Sequence, residues 1–480
     1  MQAAVPCLAG EKHGWLGDAQ VTAEEAAYNL WAPTVHTLFL DLIRDQQQPG
    51  PSDGCNDTLV CAVASATAPS QSYAGFVPGV VPGSVQKPGD LSWTAAYPLI
   101  ARWLLLYHGA LHVVRDHWAS LKAWADGVAR VAAEGGGDAL PDFWVWGDWC
   151  AVEARSTCTP GTGPQAAASN YILALKAMSH MAGALNEPGD AKRYADALSA
   201  AQAVYDLRFW NASAAGPGGG GWVGARPSIE HQTLAALAIN AMADATVPQA
   251  AKRAAATVRL LQADVAARGY HLTVGSAGGK WLLRTLTAGG AHDAALQVAT
   301  QTTSPSWGHW LDSGATTCWE NWSGVADPSH PPEPTHNHIF LCGGLGEWMH
   351  RSLGGIAPAK DGYATASISP AISPTLGPSA VNASVMTVRG RFESSWVRGD
   401  ITSNEPLLRL AVRVPAGATA LVHVPLLGRG TRSASIRDEL SGESLWPPKG
   451  EVAGVFSVEG GDDEVRLSVG AGVFRFVVCS

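Results

Sequence analysis

The chain has 480 residues, 46% of them hydrophobic and 15% charged, with a formal net charge of −9 at pH 7. Such a length can bury two or three cores, and the acidic balance leaves no electrostatic footprint for nucleic acid or an anionic membrane. No apolar run approaches the ~18–20 residues of a membrane-spanning helix. The first residues, M-Q-A-A-V-P-C-L-A-G, carry neither the basic start nor the apolar core of a secretion signal, and they assign no compartment.

Asp18 to Leu30 and Pro33 to Gln48 predict two helices, the second with Val35, Leu38, Leu42 and Ile43 on one face. From Gln47 to Gly89 Gly, Pro, Ser and Thr dominate, with F-V-P-G-V-V-P-G in the middle. A structureless stretch of that length is functional or flexible. Helices then return in pairs: Leu91–Tyr107 with Ala110–Ala133, and Gln165–Leu185 with Asp190–Leu207. Ile229–Met242 pairs with Pro248–Ala267, Gly279–Ala288 pairs with Ala291–Ala299, and a last helix covers Leu345–Leu353. Tyr171, Leu175, Met178, Ala182 and Leu185 recur at core spacing rather than as a cofactor box. The run Gly216 to Gly221 lacks the G-K-[ST] of a phosphate loop. Paired helices without intervening strands predict a helical toroid, about eleven helices in all. After Ile356 the period changes to two. Leu408, Leu410, Val412 and Val414 alternate with Arg409, Ala411 and Arg413, and Val465–Val469 and Phe474–Val478 alternate likewise, which predicts antiparallel β structure in about 120 residues, one sandwich.

Eight cysteines, Cys7, Cys55, Cys61, Cys150, Cys158, Cys318, Cys342 and Cys479, form no C-x-x-C pair, which argues against a zinc ribbon. Cys55/Cys61 and Cys150/Cys158 are close enough to close loop disulfides or to stand as free thiols. N-x-S/T triplets occur at Asn56, Asn211, Asn321 and Asn382.

Tryptophan, with 19 copies, outnumbers Phe and Tyr together at 9 each. Four of them crowd P-S-W-G-H-W-L-D-S-G-A-T-T-C-W-E-N-W, from Pro305 to Trp322, beside Asp312 and Glu320. Indole faces beside carboxylates suit sugar chemistry: a pyranose stacks its C–H face on an indole, and its hydroxyls need acceptors. The alternative is an aromatic core segment with a solvated Glu.

This stretch resembles the P-S-W-G-x-W-L-x-x-G-A-T-T-x-W-E-x-W signature of inverting bacterial-type α-L-rhamnosidases, members of the six-hairpin glycosidases. Further stretches match in the same order: E-K-H-G-W-L-G-D-A from Glu11, L-S-W-T-A-A-Y-P from Leu91 and W-G-D-W from Trp146. G-Y-H-L-T-V-G-S-A-G-G-K-W-L-L from Gly269 and N-H-I-F-L-C-G-G-L-G-E-W from Asn337 complete the set. The resemblance implies an (α/α)6 toroid over residues 1–357, of whose twelve helices the predicted eleven leave the first missing, and a C-terminal antiparallel β-sandwich over 358–480, without the β domains that usually precede the toroid. It implies hydrolysis of terminal α-L-rhamnose by an inverting mechanism, with a carbohydrate or glycoconjugate substrate and no metal or organic cofactor. Glu11 matches the general acid and Glu320 the general base. Trp15, Asp18, Trp93, Trp149 and His338 match residues of the rhamnose pocket. Asp18 could instead be a helix N-cap, Trp93 core, and His338 a satisfied loop histidine. Where the family reads D-C-P-x-R-E, this chain has Pro6-Cys7-Leu8-Ala9-Gly10-Glu11, so the sugar-binding Asp and the Arg are replaced. That departure leaves an alternative: a truncated, non-catalytic remnant that binds sugar weakly or not at all.

Overall fold

The computed structural model describes residues 13–47, 74–82, 90–134, 139–140, 146–152, 163–214, 219–223, 230–324, 336–400, 406–449 and 452–479. Glu11, the D-C-P-like span before it, the glycine run at 216–218 and Cys55, Cys61 and Cys158 lie outside the described residues. The chain divides into two compact units: Met1–Ala27, Trp31–Leu104 and Leu111–Leu345 in one; Tyr28–Leu30, Leu105–Ala110 and Gly346–Ser480 in the other.

The first unit is built from helices α1 (Leu16–Asn29), α2 (Pro33–Asp45), the short α3 (Leu91–Thr94), α4 (Ala96–His108), α5 (Leu111–Glu134), α6 (Gly163–Ala184), α7 (Pro188–Phe209), α8 (His231–Met242), α9 (Ala250–Ala267), α10 (Ser276–Ala288), α11 (His292–Ala299) and the short α12 (Trp307–Asp312). α6, α8 and α10 are buried around most of their circumference, whereas α7 buries only Tyr194, Ala201, Gln202 and Tyr205. A helix that is apolar all round is an inner helix and an amphipathic one an outer helix. The contacts follow that alternation: α6 packs on α8 and α8 on α10, while α7, α9 and α11 back them from outside. This is the inner-and-outer ring of a helical toroid.

The predicted helices stand within a few residues of their expected bounds, with three corrections. Leu91–Tyr107 is two helices, because Asp90 caps a separate first turn at Ser92. The last predicted helix is a short α13 (Leu345–Trp348) continued by a π turn over Met349–Leu353. The buried face of α2 is His36, Phe39, Leu40 and Ile43, whereas Leu38 is 47% exposed. The i, i+3, i+4, i+7 stripe runs through the histidine, which a purely apolar reading passes over.

Two buried couplings join the first helix of the unit to helices far along the chain. Gln20 Nε2 donates to Asn170 Oδ1 on α6 at 2.9 Å. Lys280 Nζ on α10, 2% exposed, lies 2.9 Å from Glu24 Oε2, with Arg284 at 3.4 Å from the same oxygen. Lys280 also sits over the Trp103 and Trp281 rings at 5.1 and 5.5 Å, so its charge is compensated on several sides.

The second unit holds strands β1 (Ile356–Pro358), β2 (Thr365–Ile368), β3 (Ala380–Thr387), β4 (Gly390–Arg398), β5 (Leu408–Val414), β6 (Thr419–Pro425), β7 (Ser435–Asp438), β8 (Ser444–Trp446), β9 (Val455–Gly460), β10 (Glu464–Val469) and β11 (Gly472–Cys479). They form two sheets, ordered β1-β2-β6-β10-β9 and β3-β4-β5-β11-β7-β8. β5 (Leu408–Val414) buries Leu408, Leu410, Val412 and Val414 and exposes Arg409 and Arg413, as the period-two pattern requires. Its partner β11 (Gly472–Cys479) sets Phe474 opposite Val412 and Phe476 opposite Leu410. One pair departs from the antiparallel rule: β2 (Thr365–Ile368) lies parallel to β6 (Thr419–Pro425).

Candidate functional site

The N-terminal motif enters α1 directly. Trp15 pairs with Val80 in an isolated antiparallel bridge; Leu16 N donates to Gly79 O at 2.9 Å and Val81 N to Gly14 O at 2.8 Å. The described part of the Pro- and Gly-rich stretch is thus a backbone brace for Trp15. Asp18 falls in the first turn of α1 but is not its N-cap. Gly17 is obligatory for a local reason: a Cβ there would stand 2.3 Å from Cε2 of Trp93, whose ring lies against the helix.

Trp93 sits on the single turn capped by Asp90, whose Oδ1 accepts from Ser92 N at 2.8 Å and from Ser92 Oγ at 2.5 Å. The other oxygen, Oδ2, accepts from Trp146 N at 2.8 Å, and Ser92 Oγ accepts from Gly147 N at 3.3 Å. Burial pushes the Asp90 carboxyl up to about 6, against the pull of the Ser92 and Trp146 donors. In the same W-G-D-W turn, buried Asp148 accepts from Thr233 Oγ1, from Gly275 N at 2.7 Å and from Gly278 N at 2.9 Å. It therefore caps the N-terminus of α10 from another segment, satisfying donors that the helix leaves open. Trp149 O accepts from Ser276 N at 2.8 Å, an approach so close that a Cβ on Gly275 would meet that oxygen at 2.1 Å.

The Pro305–Trp322 stretch divides into two parts. Ser306 caps α12 by accepting from His309 N at 3.0 Å. Trp307, Trp310, Trp319 and Trp322 are all buried. Trp310 stacks on Trp322 with centroids 4.9 Å apart, Trp307 meets Trp322 edge-on at 5.5 Å, and their indole N–H groups donate to the carbonyls of Leu341, Trp322 and Val274. These indoles are core, and Asp312 is exposed. The aromatic platform expected here is thus corrected: burial of the indoles fixes the loop, and the loop presents Glu320. A disulfide absent from the expected pairings, Cys318–Cys342, ties this loop to the Ile339–Cys342 3-10 turn, and His338 N donates to Cys318 O at 2.8 Å. Cys158, the expected partner of Cys150, lies outside the described residues.

These elements converge on one cavity of about 160 Å3 lined by Trp15, Asp18, Trp93, Trp146, Trp149, Glu320 and His338. Six of the seven are residues singled out from sequence. Trp146 is the addition; it lies in the recognised W-G-D-W motif and meets Trp15 at 6.3 Å, Trp93 at 6.3 Å and Trp149 at 5.3 Å. Trp93 is buried, as its core reading required, yet it lines the cavity; His338, whose alternative was a satisfied loop histidine, is buried and lines it too. His338 Nε2 lies 3.3 Å from Asp18 Oδ1, and burial pushes the imidazole down to about 3. Among the described residues, Trp93 Nε1 and His338 Nδ1 have no hydrogen-bond partner. Among the described residues no group of three or more His, Cys, Asp or Glu could hold a metal ion. Among the described helices none is long and apolar enough to cross a membrane.

The family profile described as the bacterial alpha-L-rhamnosidase 6 hairpin glycosidase domain matches residues 2–353. The chain belongs to the bacterial α-L-rhamnosidase family. The rhamnosidase C-terminal domain profile follows over 355–437. Relatives include an alpha-L-rhamnosidase of Streptomyces avermitilis, 27% identical over 425 residues, covering 86% of this chain and 35% of the relative. One of Formosa agariphila is 24% identical over 422 residues, covering 86% and 40%. The rhamnosidase-family chain thus spans about two fifths or less of these relatives' length. In fold it is similar to the α-L-rhamnosidase structure from Dictyoglumus thermophilum, with TM-score 0.80 and 23% identity over 99% of this chain and 47% of that one. It is similar also to the Streptomyces avermitilis enzyme complexed with L-rhamnose, with TM-score 0.76 and 24% identity over 98% and 38%.

Proposed function

We propose that this chain hydrolyses terminal α-L-rhamnosides with inversion, Glu320 acting as general base and Glu11 as general acid. The observation that carries the reading is the shared cavity: a carboxylate, four indoles, Asp18 and His338 on one wall, in a chain of the rhamnosidase family. At about 160 Å3 it is smaller than the ~300–1,000 Å3 of drug-sized sites, and so suits one sugar ring rather than a chain of them. Indole faces take the C–H face of the pyranose. Asp18 takes hydroxyls, held in place beside the neutral His338 ring, whose Nε2 lies 3.3 Å from it. Glu320 removes a proton from water attacking the anomeric carbon while an acid on the opposite side protonates the leaving oxygen. In an inverting enzyme the two carboxyls stand ~6.5–9.5 Å apart to admit that water.

The test is hydrolysis of p-nitrophenyl α-L-rhamnoside with the first-formed anomer followed by NMR. The β anomer is expected; retention of the α configuration overturns the mechanism, and no turnover together with no rhamnose binding overturns the reading.

A further inference from the structure

Asp90 belongs to none of the recognised motifs, yet its two oxygens hold two separate parts of the cavity. One fixes the turn that carries Trp93, through Ser92 N and Oγ; the other fixes Trp146 N. The bound Ser92 hydroxyl passes the connection on to Gly147 N. The far side of the same turn is held by Asp148 against α10. Both carboxylates are buried, and neither is among the residues that line the cavity. From this geometry we infer that Asp90 is a positioning residue that sets the spacing of the Trp93 and Trp146 rings, and with it the affinity of the site for the apolar face of a pyranose. The inference rests on the rhamnoside reading for its ligand, though not for the internal placement of the rings.

The physical reason is that backbone hydrogen bonds place an indole more firmly than ring contacts do. Trp146 approaches Trp93 at 6.3 Å and a tilt of 39°, a ring contact that lacks the directionality of a hydrogen bond. A stacking wall contacts ground state and transition state alike, so its loss raises KM and spares kcat.

Asp90→Asn keeps the volume and one acceptor for Ser92 but turns an amide N–H2 toward Trp146 N–H. We expect about a tenfold rise in KM for p-nitrophenyl α-L-rhamnoside, the ~1.4 kcal/mol of one buried hydrogen bond, with kcat within about twofold. If Asp90 acts through Trp146, its effect vanishes once that ring is gone. In the Trp146→Ala background, Asp90→Asn then changes KM by less than about twofold. Equal effects in both backgrounds overturn the proposal, as does a fall in kcat at constant KM. A readout without substrate separates this from the failure of the rhamnoside reading. In the free protein, Asp90→Asn shifts the indole N–H resonances of Trp146 and Trp93 and leaves that of Trp124, buried in α5, in place. An unmoved Trp146 resonance overturns the proposal even in a chain without activity. Should Asp90→Asn not fold, Ser92→Ala, which removes only the relay hydroxyl, is read in the same way.

Discussion

His338 Nε2 lies 3.3 Å from Asp18 Oδ1 while the imidazole, only 5% exposed, is held down to about 3 by burial. The ring is therefore neutral at ordinary pH. Its Nε2 faces the carboxylate, and its Nδ1 has no hydrogen-bond partner among the described residues. Burial in a wall nearly closed to water opposes the charged ring more strongly than the adjacent carboxylate favours it.

That depressed value fixes a sign. The unfolded chain binds a proton on His338 near pH 6.5, whereas the folded chain does so only near 3. The neutral ring's contribution is fully present above pH 6.5 and is lost as pH falls toward 3, at about 1.4 kcal/mol per pH unit. Urea unfolding between pH 6 and 4 should show the wild type losing stability more steeply than His338→Gln. Parallel slopes would mean that the ring is not held neutral.

Glu320→Gln should abolish turnover whatever the leaving group, since loss of a general base removes about 10²–10⁴-fold. Glu11→Gln should spare p-nitrophenyl rhamnoside, whose phenolate leaves unaided, and nearly silence a disaccharide. Initial rates on both substrates decide. Full activity in Glu320→Gln would return Glu320 to the status of a loop carboxylate beside a tryptophan core.

The Cys318–Cys342 bond closes 24 residues of chain around the Glu320 loop. Chain entropy assigns such a loop about 3 kcal/mol. Thermal melts with and without reductant should show a drop in Tm on reduction that is larger for the wild type than for a Cys318→Ser/Cys342→Ser double variant. Turnover should fall on reduction, because the bond fastens the segment before Glu320 to the one after His338.

Gly17→Ala places a methyl 2.3 Å from the Trp93 ring. That ring is carried on the short turn that Asp90 caps, so it cannot retreat freely. Overpacking of this kind typically costs about 1–3 kcal/mol. Denaturant melts should show that loss, accompanied by weaker rhamnose binding in a fluorescence titration. A neutral substitution would show that Trp93 is more mobile than its contacts imply.

Much of the toroid is legible in the sequence because its helices carry their own period and caps. The sheets are legible because side chains such as Leu410 and Arg409 alternate without interruption. The site is legible one residue at a time through motif resemblance. What escapes is which tryptophans do what. Trp307, Trp310 and Trp322 stand beside Glu320 in sequence and pack behind it in space, whereas Trp15, Trp93, Trp146 and Trp149 come from other segments to share its cavity. Aromatic density along a chain reports burial and ligand contact equally. The Cys318–Cys342 pairing and the parallel β2–β6 contact are likewise products of tertiary topology, with no local pattern to announce them.

The ion pair between Glu24 and Lys280 joins residues 256 positions apart. Contacts of such separation form late, because the loop they close must be ordered before they reward it. Hairpins such as α6–α7 can assemble early and alone, but the cavity draws its walls from residues on both sides of that long closure. On dilution from denaturant, helical circular dichroism should recover well before any capacity to bind a sugar. Excised internal segments should hold helix without holding ligand. The site is a property of the closed ring, and the kinetics of closure set the time at which a newly made chain first has a cavity to offer.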